Sequence, residues 1–120
     1  MSKVLVVDDE VEVVDFLCNF LRRFKISSEK ATSGMTALEM FTNVKPDWVF
    51  LDIKMPDMSG FEVLEELKKK DPAVRAIMIT GSEDKQSQDK AKELRAVDYI
   101  VKPLDLEDLH SKINTHILNK

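Results

Sequence analysis

An α/β fold, with five parallel strands in one sheet and helices on both of its faces, is what this sequence predicts. Short apolar runs alternate with amphipathic segments five times over. Four of the five runs are continuously apolar rather than alternating, the mark of strands covered on both sides. The 120 residues hold a single such series, unbroken by a linker or low-complexity segment, so residues 1–120 read as one domain.

The apolar runs extend from Val4 to Val7, Ile26 to Thr32, Trp48 to Leu51, Ala76 to Thr80 and Tyr99 to Val101. The second is the weakest and suits an edge position. Between them the apolar residues recur at three and four positions, as on one face of a helix. Val14, Leu17, Leu21 and Phe24 form the first such face; Ala37, Leu38, Phe41 and Val44 the second, with Ser33 as its N-cap. The third runs from Phe61 through Leu64 and Leu67 and stops before Asp71-Pro72. The fifth, opened by Asp105, carries Leu106, Leu109, Ile113 and Ile117. The fourth is the exception: from Ser82 to Lys90 it has no large apolar residue, and only Ala91, Leu94 and Val97 can face a core. Strict strand–helix alternation implies right-handed crossovers. Five units in this length suit the flavodoxin-like (βα)5 winding, with strand order 2-1-3-4-5.

Composition narrows the function. Hydrophobic residues make up 43% and charged residues 33%, an ordinary globular balance. The net charge of -4 argues against direct nucleic-acid binding, which clustered positive charge drives. The one basic run, Lys68-Lys69-Lys70, falls at a helix end, where it complements the helix dipole. No apolar stretch approaches the roughly 18 residues of a membrane span, and Val4 to Val7 is too short for a signal peptide. The single cysteine, Cys18, lies on an apolar helical face and reads as a buried thiol, in keeping with a reducing cytoplasm.

In an open parallel sheet, ligands bind beyond the carboxyl ends of the strands. There the sequence places Asp8-Asp9 after the first strand, Asp52 after the third, Thr80 at the end of the fourth and Lys102-Pro103 after the fifth. Taken singly, each residue has a plain role as a cap, a turn or a surface charge. Together they form a rim. Three carboxylates within about 5 Å repel by a few kcal/mol per pair at an effective dielectric near 20. A hard cation with oxygen ligands, Mg²⁺ above all, offsets that repulsion and accepts phosphate oxygens; Lys102 supplies a second positive charge. Such a rim suits phosphoryl transfer to a carboxylate nucleophile, which needs positioning and positive charge more than covalent chemistry. Asp52, central on the sheet and followed by the Met55-Pro56 turn, is the best-placed acceptor.

The stretches Val6-Val7-Asp8-Asp9-Glu10, Asp52-Ile53-Lys54-Met55-Pro56-Asp57-Met58-Ser59-Gly60, Ile79-Thr80-Gly81 and Tyr99-Ile100-Val101-Lys102-Pro103, in this order, resemble the receiver domains of two-component response regulators. The resemblance covers the chain from Lys3 to about Leu118. It implies that Asp9 and Asp52 ligate Mg²⁺ directly, that Asp8 acts through a water, and that the Lys54 backbone carbonyl completes the protein ligands. It makes Asp52 the phosphoacceptor, Thr80 and Lys102 the phosphate contacts, and Tyr99 the aromatic switch. It also implies a cis Lys102-Pro103 bond. The implied partners are a sensor histidine kinase or histidine phosphotransfer protein upstream, in a phosphorelay, and a protein target or fused output domain downstream. A stand-alone regulator is the favoured form, acting as a switch rather than as an enzyme. The face to be altered by phosphorylation is that of the fourth helix, fifth strand and fifth helix, with residues 82–90 as its marginally stable, bistable part.

Two other chemistries fit less well. An aspartyl phosphohydrolase would need a second acid where Lys54 stands. A flavin module would need backbone N–H donors in a Ser/Thr/Gly-rich loop where Asp8-Asp9-Glu10 stands. The family's variable positions, Lys54 and Ser82, lack an amide or carboxylate that would orient an attacking water, which points to a long-lived phospho-form.

Overall fold

Apolar strands that must be covered on both sides build the centre of this chain. The structure, a computed structural model, describes residues 2–81 and 85–118. Its elements are β1 (Lys3–Val7), α1 (Val11–Arg22), β2 (Ser27–Ala31), α2 (Gly34–Val44), β3 (Trp48–Asp52), α3 (Gly60–Lys70), β4 (Arg75–Thr80), α4 (Lys85–Glu93), β5 (Asp98–Val101) and α5 (Leu106–Ile113), closed by a π-helical turn at Asn114–Leu118. The sheet is parallel with order β2-β1-β3-β4-β5, as the alternation predicts.

The period of two along β1 sorts its side chains between two cores. Val4 and Val6 pack with Val14, Leu17 and Leu21 of α1 and with Leu109 and Ile113 of α5. Leu5 and Val7 pack on the opposite face with Ala37 and Phe41 of α2 and Leu64 and Leu67 of α3. Every residue of β3 is buried, which fixes it as the central strand. Each fully buried Leu or Ile in such a layer contributes about 1.5–3 kcal/mol. β2, with sequence SSEKA, buries only Ala31 and occupies one edge; it begins one residue after Ile26, which is itself in the core.

Local signals set the helix starts. Ser33 caps α2 through the Thr36 N–H, and Asp105 caps α5 through the Glu107 N–H, as read. α3 starts with a capping box that the apolar spacing did not disclose: Ser59 accepts from Phe61 N–H, and Glu62 accepts from Ser59 N–H at 2.9 Å. Phe24 falls beyond the end of α1, yet still packs against the core. At the end of α3 two of the three lysines take different partners: Lys68 donates to the Val74 carbonyl at 2.8 Å and Lys69 pairs with Glu66 at 3.0 Å.

The polar fourth segment does form a helix, and it buries a single residue, Ala91. Leu94 is half-buried, but Val97 stays 40% exposed, so the expectation that it faces a core does not hold. Residues 82–84, including Ser82, lie outside the described residues. α1, by contrast, buries Val14, Leu17, Cys18, Phe20 and Leu21. Short helices take their stability from tertiary packing rather than propensity. Backbone amides of 85–93 should therefore exchange faster than those of any other helix in the unphosphorylated protein; hydrogen–deuterium exchange that finds α4 protected like α1 would contradict this.

Candidate functional site

The carboxyl ends of the strands lie on one rim because the register holds them there: Val7 pairs with Leu51, Asp52 with Ile79, and Thr80 with Val101. Asp8 and Asp9 follow β1, Asp52 ends β3, Thr80 ends β4 and Lys102 follows β5. Backbone bonds fix the loops that leave these ends. Asp8 N–H donates to the Ala31 carbonyl at 3.2 Å, Ile53 N–H to Ile79 at 2.9 Å, and Lys102 N–H to Thr80 at 2.7 Å. The Lys102-Pro103 bond is cis, as the resemblance implied.

The rim brings Asp8, Asp9 and Asp52 together, with one carboxylate oxygen from each within 4.8 Å of the others. Asp8 and Asp52 are buried and Asp9 is exposed, so the cluster opens to solvent on the Asp9 side. Lys102 reaches across from β5. Its Nζ lies 2.6 Å from Glu10 Oε1, 3.0 Å from Asp8 Oδ2 and 3.7 Å from Asp52 Oδ1. Glu10 also ties the first loop to itself, its N–H donating to Asp8 Oδ1 at 2.9 Å. Thr80 is 5% exposed, buried at the end of the neighbouring strand. Tyr99 is half-buried on β5, with Lys112 donating to its carbonyl and lying 5.1 Å from its ring centroid.

Burial, and then the charge of Asp8, push the Asp52 carboxyl up to about 7, against the pull of Lys102; contact with the Asp8 and Asp9 carboxyls adds to the rise. Burial works against the charge on Lys102, but contacts with Glu10 and Asp8 and the charge of Asp52 outweigh it and raise its pKa. One ammonium thus fails to offset the carboxylates fully. The fit of a hard cation follows from the same atoms. Asp8 Oδ2 is buried without an aligned hydrogen bond, although Lys102 lies close to it, and the donor set is all oxygen.

Three further residues make contacts at the site or in the loop beside it. Glu10 is the nearest partner of Lys102. Gly60 abuts β3 so closely that a Cβ would lie 2.1 Å from the Asp52 carbonyl oxygen, and its N–H donates to the Ile53 carbonyl at 2.8 Å. Asp57 accepts from two N–H groups of α2. For Glu10 and Asp57 no spacing announces the contact, since each partner lies far along the chain. For Gly60 a signal exists, since glycine at a helix entry favours close backbone approach.

Residues 4–114 match the family model described as the response regulator receiver domain. The chain belongs to this family, and is a phosphorylatable signalling domain. It is 30% identical over 116 residues to sporulation initiation phosphotransferase F of Bacillus subtilis, spanning 97% of this chain and 94% of that one. It is 35% identical to a probable cyclic di-GMP phosphodiesterase of Vibrio cholerae over 98% of this chain, and there it spans only 27% of the relative's length. Among solved structures, response regulator protein TrrA from Thermotoga maritima, in complex with Mg²⁺–BeF, superposes with a TM-score of 0.84 at 32% identity, covering 96% of this chain and 98% of that one.

The raised carboxyl has a stability consequence. The unfolded chain loses the Asp52 proton near 3.8 and the folded chain near 7, so in the metal-free protein the fold bears a growing cost as pH rises through that window. Asp52→Asn removes the cost. In thermal unfolding without divalent ions the variant should be more stable than the parent at pH 8, by about 1–4 kcal/mol, with the gain shrinking toward pH 4. A gain that is equal at both pH values, or absent at pH 8, would contradict the shift.

Proposed function

We propose that Asp52 is the phosphoacceptor of a Mg²⁺-dependent signalling switch spanning residues 1–120. The observation that carries this reading is the convergence of the Asp8, Asp9 and Asp52 carboxylates within 4.8 Å beside an ammonium that lies 3.7 Å from Asp52. Asp8, Asp9, Asp52 and the backbone carbonyl of Lys54 would hold the ion. Bound there, Mg²⁺ supplies positive charge that the phosphoryl oxygens need and Lys102 alone does not provide.

An Asp52 carboxylate oxygen forms the new bond to phosphorus. The bond from phosphorus to the donor breaks, and its electron pair leaves with the donor's imidazole nitrogen when the donor is a phosphohistidine. Lys102 contacts one phosphoryl oxygen through its ammonium and Thr80 donates to another through its hydroxyl. Crowding of Gly60 against the Asp52 carbonyl keeps the acceptor backbone fixed during this exchange. The chain promotes its own phosphorylation and dephosphorylation and turns over no separate substrate. Its upstream partner is a sensor histidine kinase or a histidine phosphotransfer protein, and the cytoplasm is its compartment. No described helix is long and apolar enough to cross a membrane. Output follows a population shift in which Thr80 moves toward the phosphoryl group and Tyr99 follows, altering the face of α4, β5 and α5 for a protein target or fused output domain.

Mass spectrometry tests the acceptor. With Mg²⁺ and a small acyl phosphate the parent chain should gain one phosphoryl group, lost on adding a chelator beforehand and absent in Asp52→Asn; equal incorporation by that variant would refute the assignment.

Lys54 bears on the lifetime of the product. It is exposed two residues beyond Asp52, and its ammonium has no lone pair to accept a proton from an attacking water. The phospho-form should last minutes to hours, and Lys54→Asn should hasten its decay. An unchanged or slower decay in the variant would remove Lys54 from the account.

A further inference from the structure

The loop between β3 and α3 carries the Lys54 carbonyl, and its midpoint is tied to a different element. Asp57 Oδ1 accepts from the Gly34 N–H at 3.2 Å and Asp57 Oδ2 from the Met35 N–H at 2.9 Å. These are the first two amides of α2, which have no partner inside the helix. Ser33 already serves the next two, accepting from Thr36 N–H through its side chain and from Ala37 N–H through its carbonyl. The cap of α2 is therefore shared between its own N-cap residue and a side chain more than twenty positions away. The bond from Met35, foremost among several backbone bonds, holds the Asp57 carboxyl below the usual carboxylate range, so the contact is one of charge with the helix N-terminus.

The seam is also tight sterically. A Cβ on Gly34 would lie 2.9 Å from Val63 Cγ2 of α3 and 3.0 Å from Met58 Cβ of the loop, so α2 meets both with no room for one more methyl group. At its ends the same loop is held by Ile53 N–H on Ile79 and by Gly60 N–H on Ile53. Asp57 fastens what lies between.

We propose that Asp57 is a positioning residue for the cation site: by fastening the 53–59 loop to the N-terminus of α2 it sets where the Lys54 carbonyl stands relative to Asp9 and Asp52. This rests on the reading of the Asp8–Asp9–Asp52 rim as a Mg²⁺ site. A metal ligand held on a loose loop must be ordered when the ion binds, and that ordering weakens the affinity. A capping role alone would lower the stability of α2 and leave the ion's affinity unaltered.

Titration calorimetry with Mg²⁺ alone separates the two. Asp57→Ala should raise the Mg²⁺ dissociation constant about tenfold, the low end of what groups that orient metal ligands contribute. Amides of 53–59 should exchange faster in the metal-free variant. Asp57→Asn keeps one acceptor oxygen and should fall between. Gly34→Ala, which presses on the seam from the other side, should weaken the ion as well. Mg²⁺ affinity unchanged in Asp57→Asn and Gly34→Ala, with only the melting temperature lowered, would overturn the proposal even if Asp57→Ala fails to fold. A parent chain that binds no Mg²⁺ would overturn the reading of the site itself; an ion bound indifferently to Asp57 overturns only this inference.

Discussion

Lys102 reaches Glu10, Asp8 and Asp52 at 2.6, 3.0 and 3.7 Å, and without its charge four carboxylates would face one another across the end of the sheet. Asp8, Asp9 and Asp52, with oxygens within 4.8 Å of one another, repel by a few kcal/mol per pair at an effective dielectric near 20. A single ammonium reduces that repulsion without removing it, and burial, joined by the remaining charge of Asp8, pushes the Asp52 carboxyl up to about 7. The site is thus held in a state of incomplete compensation. A divalent cation and a phosphoryl group, one supplying positive charge and the other using it, are the ligands that such a state suits.

Maintaining like charges in contact requires a scaffold that cannot yield. Fully buried β3 supplies it, with α1 and α5 packed on one face of the sheet and α2 and α3 on the other. A close-packed interior transmits strain rather than absorbing it, so Asp52 cannot relax away from Asp8. Gly60, whose missing side chain lets α3 begin against the Asp52 carbonyl, and the Ser59–Glu62 box, which fixes that beginning, extend the rigidity into the loop. α4 is packed least: it buries only Ala91, and it lies beyond Thr80 and beside β5.

The winding was legible because continuous apolar runs and a period of 3.6 are strong signals, and the rim because strand ends in a parallel sheet converge by topology. Asp8, Asp9, Asp52, Thr80 and Lys102 all needed only their positions after Val7, Leu51, Ile79 and Val101. What stayed hidden is contact between residues that no period relates. Glu10 reads as one more acid before a helix, yet it is the nearest partner of Lys102, 92 positions on. Asp57 reads as a turn residue after Pro56, yet it caps a helix that begins 23 positions earlier. Val97 looked apolar enough for the core, but the chain leaves α4 through a left-handed Arg95 and keeps Val97 outside. Such contacts arise only once the crossovers are closed.

The protons released on adding a divalent cation measure how incompletely Asp52 is compensated. If Asp52 holds its proton up to about pH 7 in the metal-free protein, a divalent ion must displace that proton on binding. Mg²⁺ titrated by calorimetry in buffers of different ionisation enthalpy should release close to one proton at about pH 6 and almost none at about pH 9. Release that is absent across this range would mean that Asp52 is already ionised and compensated without the ion, and the account would be wrong at its root.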